Sequence, residues 1–273
     1  MIETKTNIEF TNQDFLGFEN HKLELSNISK VYPTPKGNLV LFENFNLKIT
    51  EGQFVSIIGK RGCGKSTLLS MIAGLNPITS GQIILDGNPI SGPGPDRAVV
   101  FQSTSLLPWM TALQNVQSGI DKAFAHQTKN QREDISKYYL NKVGLGDAFD
   151  KEIKELSPGM KQRLAIARAL ALKPQILLLD KPFETLDLIT RADLQNMLLE
   201  VLEAEKITTL MITYNVDEAI LLSDKVVMMS PGPKAQITDT LDIAYNRPRN
   251  KKNILENDSY YRNREYLINF LEQ

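Results

Sequence analysis

Residues 54–75, FVSIIGKRGCGKSTLLSMIAGL, constrain this chain more than any other stretch. Phe54, Val55, Ile57 and Ile58 form a short apolar run rich in β-branched residues, the pattern of a buried strand. Gly59-Lys60-Arg61-Gly62-Cys63-Gly64-Lys65-Ser66 then fits G-x-x-x-x-G-K-[ST] without a mismatch, and Leu68, Leu69, Ile72 and Leu75 follow at helical spacing. Each part has a job. Glycines let successive N–H groups curl around a phosphate, and the helix start adds the positive end of its dipole. Lys65 is placed to reach the β- and γ-phosphates, and the Ser66 hydroxyl to ligate Mg²⁺. Gly59 to Ser66, with Thr67 beside them, are the candidate residues for binding a nucleoside triphosphate.

The 273 residues are 42% hydrophobic, enough for a real core in one large or two modest domains. A net charge of −1 gives no strong field toward nucleic acid. Cys63 is the single cysteine and sits inside the glycine-rich loop, so no internal disulfide forms and a reducing cytosolic compartment is expected. The first ten residues, MIETKTNIEF, carry charges where a signal peptide needs an apolar run. No apolar stretch approaches the roughly 18 residues needed to span a bilayer.

Periodicity orders the rest. Residues 1–20 are polar and patternless, and read as a flexible extension. Leu23 to Val31 alternates as an edge-type strand stopping at Tyr32-Pro33-Thr34-Pro35, and Phe45, Leu47 and Ile49 alternate as a second. Ile83–Leu85 and Ala98–Phe101 read as further strands, the latter closing on Gln102. From Leu106 to about Lys154 helical periodicity replaces strand signals, the mark of an inserted helical subdomain. Helices are expected over Ser157–Leu172 and Arg191–Glu205, strands over Ile176–Leu179, Thr208–Thr213 and Val226–Met229, and a turn at Ser230–Pro233. A basic stretch, Arg247 to Lys252, reads as a linker before a short amphipathic C-terminal helix. The organisation expected is an extension over 1–20, a nucleotide-binding domain over 21–232 with its helical subdomain at about 103–172, and a linker with a short helix over 233–273. The fold class is α/β, with a mostly parallel sheet around the phosphate loop.

Two further motifs narrow the reading. Ile176–Asp180 is an apolar strand ending in a carboxylate, so Asp180 would hold Mg²⁺ opposite Lys65. Leu156-Ser157-Pro158-Gly159-Met160-Lys161-Gln162-Arg163 starts a helix, with Ser157 suited to the N-cap and Pro158 to the first turn. Here the chain resembles the ATP-binding cassette (ABC) family, whose signature is Leu-Ser-Gly-Gly-Gln or a near variant. The resemblance runs from Lys22 to about Pro231. It implies a P-loop nucleotidase fold with an N-terminal antiparallel β-subdomain, ATP and Mg²⁺ as ligands, and a dimer holding two ATP between two cassettes. By the same resemblance Tyr32 stacks on adenine and Gln102 touches Mg²⁺ and the attacking water. Ser157, Gly159 and Asp187 would meet ATP on a partner subunit. The Leu106–Thr111 segment, LLPWMT, would receive a helix of a membrane subunit, with Trp109 exposed beside a proline. Pro158 departs from the usual glycine and removes one N–H donor.

Two departures stand in one site. The family places a Glu after the metal-binding Asp, to polarise the attacking water; this chain has Lys181, which has donors and no lone pair. The family places a His after the strand matching Thr209–Thr213; this chain has Tyr214, neutral at pH 7. The site is expected to be catalytically degenerate unless a carboxylate such as Glu184 stands in. The resemblance implies a peripheral ATPase subunit on the cytoplasmic face of the inner membrane. Its expected companions are transmembrane permease subunits, a second non-identical cassette with an intact Glu, and a periplasmic or lipid-anchored solute-binding protein; nucleic acid is not among them. The LLPWMT segment, the Val216–Pro233 run and the late Arg-Pro-Arg resemble subunits for nitrate, nitrite, cyanate, bicarbonate, taurine and sulfonate uptake, with nitrate favoured. A ribosome- or DNA-directed cassette and a regulatory nucleotide-binding module are the rivals.

Overall fold

The structure is a computed structural model that describes residues 21–35 and 37–272, so the extension read over 1–20 lies outside the described residues. Two sheets carry the fold. Strands β1 (His21–Thr34), β2 (Gly37–Thr50), β4 (Ser80–Leu85) and β5 (Asn88–Pro89) form an antiparallel sheet in the order β2-β1-β4-β5. Strands β3 (Phe54–Gly59), β6 (Arg97–Val100), β7 (Ile176–Asp180), β8 (Thr208–Ile212), β9 (Lys225–Met229) and β10 (Ile237–Asp242) form the second, ordered β10-β9-β3-β8-β7-β6. Neighbours from β9 to β6 run parallel, and β10 closes that edge antiparallel to β9.

The helices are α1 (Lys65–Ile72), α2 (Ala112–Ala123), α3 (Lys129–Lys142), α4 (Pro158–Leu170), α5 (Leu188–Glu205), α6 (Val216–Leu222), α7 (Lys251–Leu255) and α8 (Asp258–Glu272). Among the described residues no helix is long and apolar enough to cross a membrane. β3 is buried at all six positions, Ser56 with its hydrogen-bond partner Ser223 included, as its mostly apolar pattern suits for a central strand covered on both faces. One apolar cluster lies under α1 and the antiparallel sheet, where Leu25, Phe42, Phe45, Ile57 and Leu69 meet. Another joins α2, α3, α4 and α5 to the opposite side of the sheet through Val116, Leu140, Ile166, Leu179 and Leu198. A third sits under α6 and α8, around Ile58, Ile220, Met228 and Leu267.

Several expectations are corrected. β1 is not an edge strand: over Leu23–Ser29 it lies between β2 and β4. Nor does it stop at Tyr32. It continues through Pro33 to Thr34, where β2 alone is its partner and the missing N–H of proline faces no ladder. α1 ends at Ile72, where the chain turns at Gly74 with φ +73°; Leu75 lies beyond the helix and is 53% exposed. α5 starts three residues earlier than its periodicity suggests, because Asp187 caps it through Ile189 N–H and Thr190 N–H. The sequence reading missed α6, β5 and β10. The stretch read as a basic linker is anchored: Arg249, its side chain 1% exposed, bonds Leu222 O, Ser223 O and Asp224 Oδ1, and Arg247 pairs with Asp224.

Candidate functional site

The C-terminal ends of the parallel neighbours β3, β8 and β7 converge on one edge, where open α/β sheets place their ligands. β3 delivers the phosphate loop. Gly59, Gly62 and Gly64 have φ of +156°, +82° and +98°, conformations that side-chain-bearing residues rarely adopt. At Gly64 a Cβ would lie 2.7 Å from Phe42 Cζ, so β2 supports the loop only because no side chain is there. Lys65 is 3% exposed, and its Nζ donates to Gly59 O at 2.7 Å and Lys60 O at 2.9 Å. Burial pushes its pKa down, the nearby Cys63 thiol opposes that, and Lys181 adds to the depression. The Cys63 side chain is fully buried beneath the loop, while Ser66 at the start of α1 is exposed.

β7 delivers Asp180 and Lys181. Asp180 Oδ1 is buried with no hydrogen-bond partner among the described residues. An orphaned carboxylate oxygen opposite a phosphate-loop serine fits a hard cation such as Mg²⁺, which keeps water and phosphate oxygens in its shell. No cluster of three or more His, Cys, Asp or Glu among the described residues could hold a metal alone. Lys181 takes φ +49° and donates its N–H to Ile212 O at 2.9 Å, binding the end of β7 to β8. Gln102, just past β6, is exposed.

β8 leads to Tyr214 through a braced turn. Thr213 Oγ1 donates to Glu218 Oε2 at 2.6 Å and accepts from Asn215 N–H, and Asn215 caps α6 through Asp217 N–H and Glu218 N–H. Glu218 is 5% exposed, and burial raises its pKa against the opposing pull of Thr213 and Arg191. The Tyr214 ring is the meeting point of three cations: Lys65 Nζ at 4.5 Å from the ring centroid, Lys181 Nζ at 5.0 Å and Arg61 Cζ at 5.6 Å. A cleft of about 280 Å³ lies alongside, lined by Lys181, Glu184, Arg191, Tyr214, Asn215 and Glu218 among others.

The remaining sequence-predicted residues lie on other surfaces. Tyr32 is half-buried on β1, its hydroxyl accepting from Asn76 and its ring under Lys30 Nζ. Ser157 caps α4 and is exposed, whereas Gly159 is buried, with room for no Cβ against Thr190 Cγ2 at 2.4 Å. That contact packs the signature helix against the first turn of α5, next to Asp187. Leu188 and Ile189 stand beside it at 79% and 77% exposure. Trp109 is 74% exposed, outside the helical core.

Sequence reasoning missed the residues that hold these loops. Asn115, fully buried, receives Leu107 N–H and donates to Leu107 O, Met110 O and Thr111 O, fixing the loop that presents Trp109. Arg168 donates to Thr104 O and Ser105 O, tying the segment after Gln102 to α4. Glu218 and Arg191 brace Tyr214 from behind. A lone Asn or Arg on a helix gives no periodic signal, so only the packed structure reveals these roles.

The ABC transporter family profile matches residues 42–184. The bicarbonate transport ATP-binding protein CmpD of Synechocystis sp. is 47% identical over 249 residues, 91% of this chain and 88% of that protein. The nitrate import ATP-binding protein NrtD of Synechococcus elongatus is 45% identical over 244 residues, 89% of each chain. A second Synechocystis protein, the bicarbonate transport ATP-binding protein CmpC, is 47% identical over 91% of this chain but only 38% of its own length. Among solved structures, the dimeric bacterial ABC transporter cassette MJ0796 aligns with a TM-score of 0.71 at 28% identity, covering 82% of this chain and all of that one. Family profile, full-length relatives and superposed fold agree with the motifs at the sheet edge: the chain belongs to the ABC transporter family, as an ATP-binding cassette.

Proposed function

We propose that this chain is the ATP-binding subunit of an importer for a small anion. It works with transmembrane permease subunits and a second, non-identical cassette on the cytoplasmic face of the membrane, in a system fed by a solute-binding protein. The observation that carries this reading is the contrast within one site. The phosphate loop and Asp180 meet the requirements of ATP and Mg²⁺, while Lys181 stands at the family's water-polarising position and Tyr214 at its γ-phosphate-contacting one. Relatives named for bicarbonate and nitrate transport, at 47% and 45% identity, support an anion as solute. The sequence reading favours nitrate; bicarbonate has equal support from these relatives, and comparative uptake of the two labelled anions by cells with and without this chain decides between them.

The pairing follows from the resemblance to cassettes that dimerise head to tail. In a head-to-tail dimer each site joins one chain's phosphate loop to the other's signature, so a homodimer of this chain would carry Lys181 in both sites. General-base help is worth roughly 10²–10⁴ in rate. A partner with an intact Glu restores one working site, which Ser157 and the backbone around Gly159 of this chain would complete. Two distinct bicarbonate transport ATP-binding proteins of one organism both match this chain, which supports a non-identical pair. The experiment compares ATPase rates of the isolated chain and the assembled complex, before and after a Glu→Gln change in the partner. Slow turnover alone and activity lost with the partner's Glu are expected; brisk hydrolysis by the isolated chain overturns the reading.

We assign the permease contact to Trp109; its support is an exposed indole on a loop that Asn115 ties down. Trp109→Ala is expected to weaken co-purification with the permease about tenfold or more, as for an interface anchor worth some 2 kcal/mol, and to leave nucleotide affinity unchanged. A full-strength complex after that change moves the interface elsewhere.

A further inference from the structure

We propose that Lys181 is a ligand for the terminal phosphate of the bound nucleotide, so that this site discriminates triphosphate from diphosphate and holds the former. The inference rests on the nucleotide-binding reading and concerns the position where the family's water-polarising carboxylate stands.

Three cations crowd together here without a salt bridge among the described residues. Lys65, Lys181 and Arg61 gather on one tyrosine ring at 4.5, 5.0 and 5.6 Å. Among the described residues none of the three has a carboxylate at ion-pair distance. None of the acids near Lys181 forms a salt bridge with it. Glu218 is taken up by Thr213 and Gln195, with Arg191 beside it. Glu184, on the rim of the same cleft, is exposed and makes no salt bridge to Lys181; its backbone N–H lies 3.4 Å from Lys181 O. Asp180, the remaining acid, belongs to the cation site. The ring face attracts cations weakly and supplies no hydrogen-bond acceptor to an ammonium. A site that collects three cations on a neutral ring is completed by an anion with several acceptor oxygens, which describes a phosphate.

The backbone fixes where that anion meets Lys181. Its left-handed φ of +49° is one a non-glycine residue holds only where the surroundings impose it, here through the bond to Ile212 O. The conformation keeps Lys181 on the Tyr214 ring together with Lys65, and therefore on the side of the loop lysine. The phosphates of a diphosphate are served by the loop N–H groups and Lys65. The third phosphate is what a second ammonium beyond Lys65 would contact. Replacing a carboxylate with an ammonium there inverts the sign of the charge facing the γ-phosphate, from repulsion to attraction.

The test is equilibrium titration of the full chain with Mg²⁺ and a non-hydrolysable ATP analogue, and separately with Mg²⁺ and ADP. The proteins are wild type, Lys181→Gln, Lys181→Glu and Lys181→Arg. Expected is a preference for the triphosphate that falls about 10-fold or more in Lys181→Gln and further in Lys181→Glu, as for loss of one charge-assisted hydrogen bond. ADP affinity should move less than about threefold, and Lys181→Arg should restore the preference. Circular dichroism of each variant reports folding, and Lys181→Gln against wild type and Lys181→Arg still gives the comparison if Lys181→Glu unfolds. An unchanged triphosphate-to-diphosphate ratio in Lys181→Gln overturns the inference and leaves the nucleotide reading intact. Equal loss of both nucleotides assigns Lys181 a backbone role and also overturns it. Failure of wild type to bind either nucleotide overturns the underlying reading.

Discussion

The two walls of the nucleotide site are built by different means. On one wall, from Gly59 to Ser66, the working parts are backbone N–H groups and three glycine conformations, two of which, at Gly59 and Gly64, leave no room for a side chain against Met229 and Phe42. On the other wall, at the ends of β7 and β8, the working parts are two side chains, Lys181 and Tyr214, carried on backbone that β-pairing and the Thr213–Glu218 bond hold in place. A backbone-built wall changes only if the loop is rebuilt. A side-chain-built wall loses its catalytic chemistry through two substitutions while its scaffold stands. On the proposed reading, binding and hydrolysis are separable because they reside in these different materials.

The sharpest way to break that comparison is to return the side chains to the working wall. Lys181→Glu with Tyr214→His should raise ATP turnover of a dimer of this chain by about 100-fold, the lower range for general-base catalysis. Steady-state phosphate release measures it, and an unchanged rate would show that the scaffold itself has lost catalytic geometry.

The binding wall should respond differently. Lys65→Ala removes the buried ammonium that now bonds Gly59 O and Lys60 O, and should weaken ATP binding by about 3 kcal/mol. Gly64→Ala forces a Cβ against Phe42 and Leu41 at φ +98° and should cost about 1–3 kcal/mol of loop stability. Calorimetric titration reads the first and thermal unfolding the second. Normal affinity in Lys65→Ala would remove the phosphate-loop assignment.

The smallest effect concerns the brace behind Tyr214. Burial raises the Glu218 pKa in the folded chain above its unfolded value, so the folded state binds the extra proton. Stability contributed by that proton is present below the ordinary carboxylate range and declines as pH rises through the folded value. Glu218→Gln should flatten that part of the stability-against-pH curve. An unaltered slope in thermal midpoints would place the titration in another group.

Much of this was legible from spacing alone, and the reasons are local. The phosphate loop, the apolar run into Asp180, the signature helix with Ser157 at its cap, and both departures at Lys181 and Tyr214 are each written within a few consecutive residues. Turn conformation and strand burial follow from such short patterns. The interior place of β1 was illegible because alternation reports one buried face and says nothing of how many neighbours pair along the edges. β10 escaped because Ile237-Thr238-Asp239-Thr240-Leu241-Asp242 has few apolar residues; its place comes from the unpaired edge of β9.

Residue identity in the sequence determined the family and the fold, and it named the phosphate-loop residues and the departures at Lys181 and Tyr214 on which the proposed triphosphate site rests. Those are matters of residue identity at fixed short spacing. Only the tertiary structure decided that Lys65, Lys181 and Arg61 share the ring of Tyr214, that Gly159 is packed against Thr190, and that Asn115 and Glu218 hold the working loops. Most of these contacts join residues separated by tens to more than a hundred positions. The others, Asn115 to its loop and Glu218 to Thr213, span a few positions, but their roles depend on burial that the assembled fold supplies. No periodicity records such a meeting, because it is fixed by the packing of whole strands and helices around the shared core.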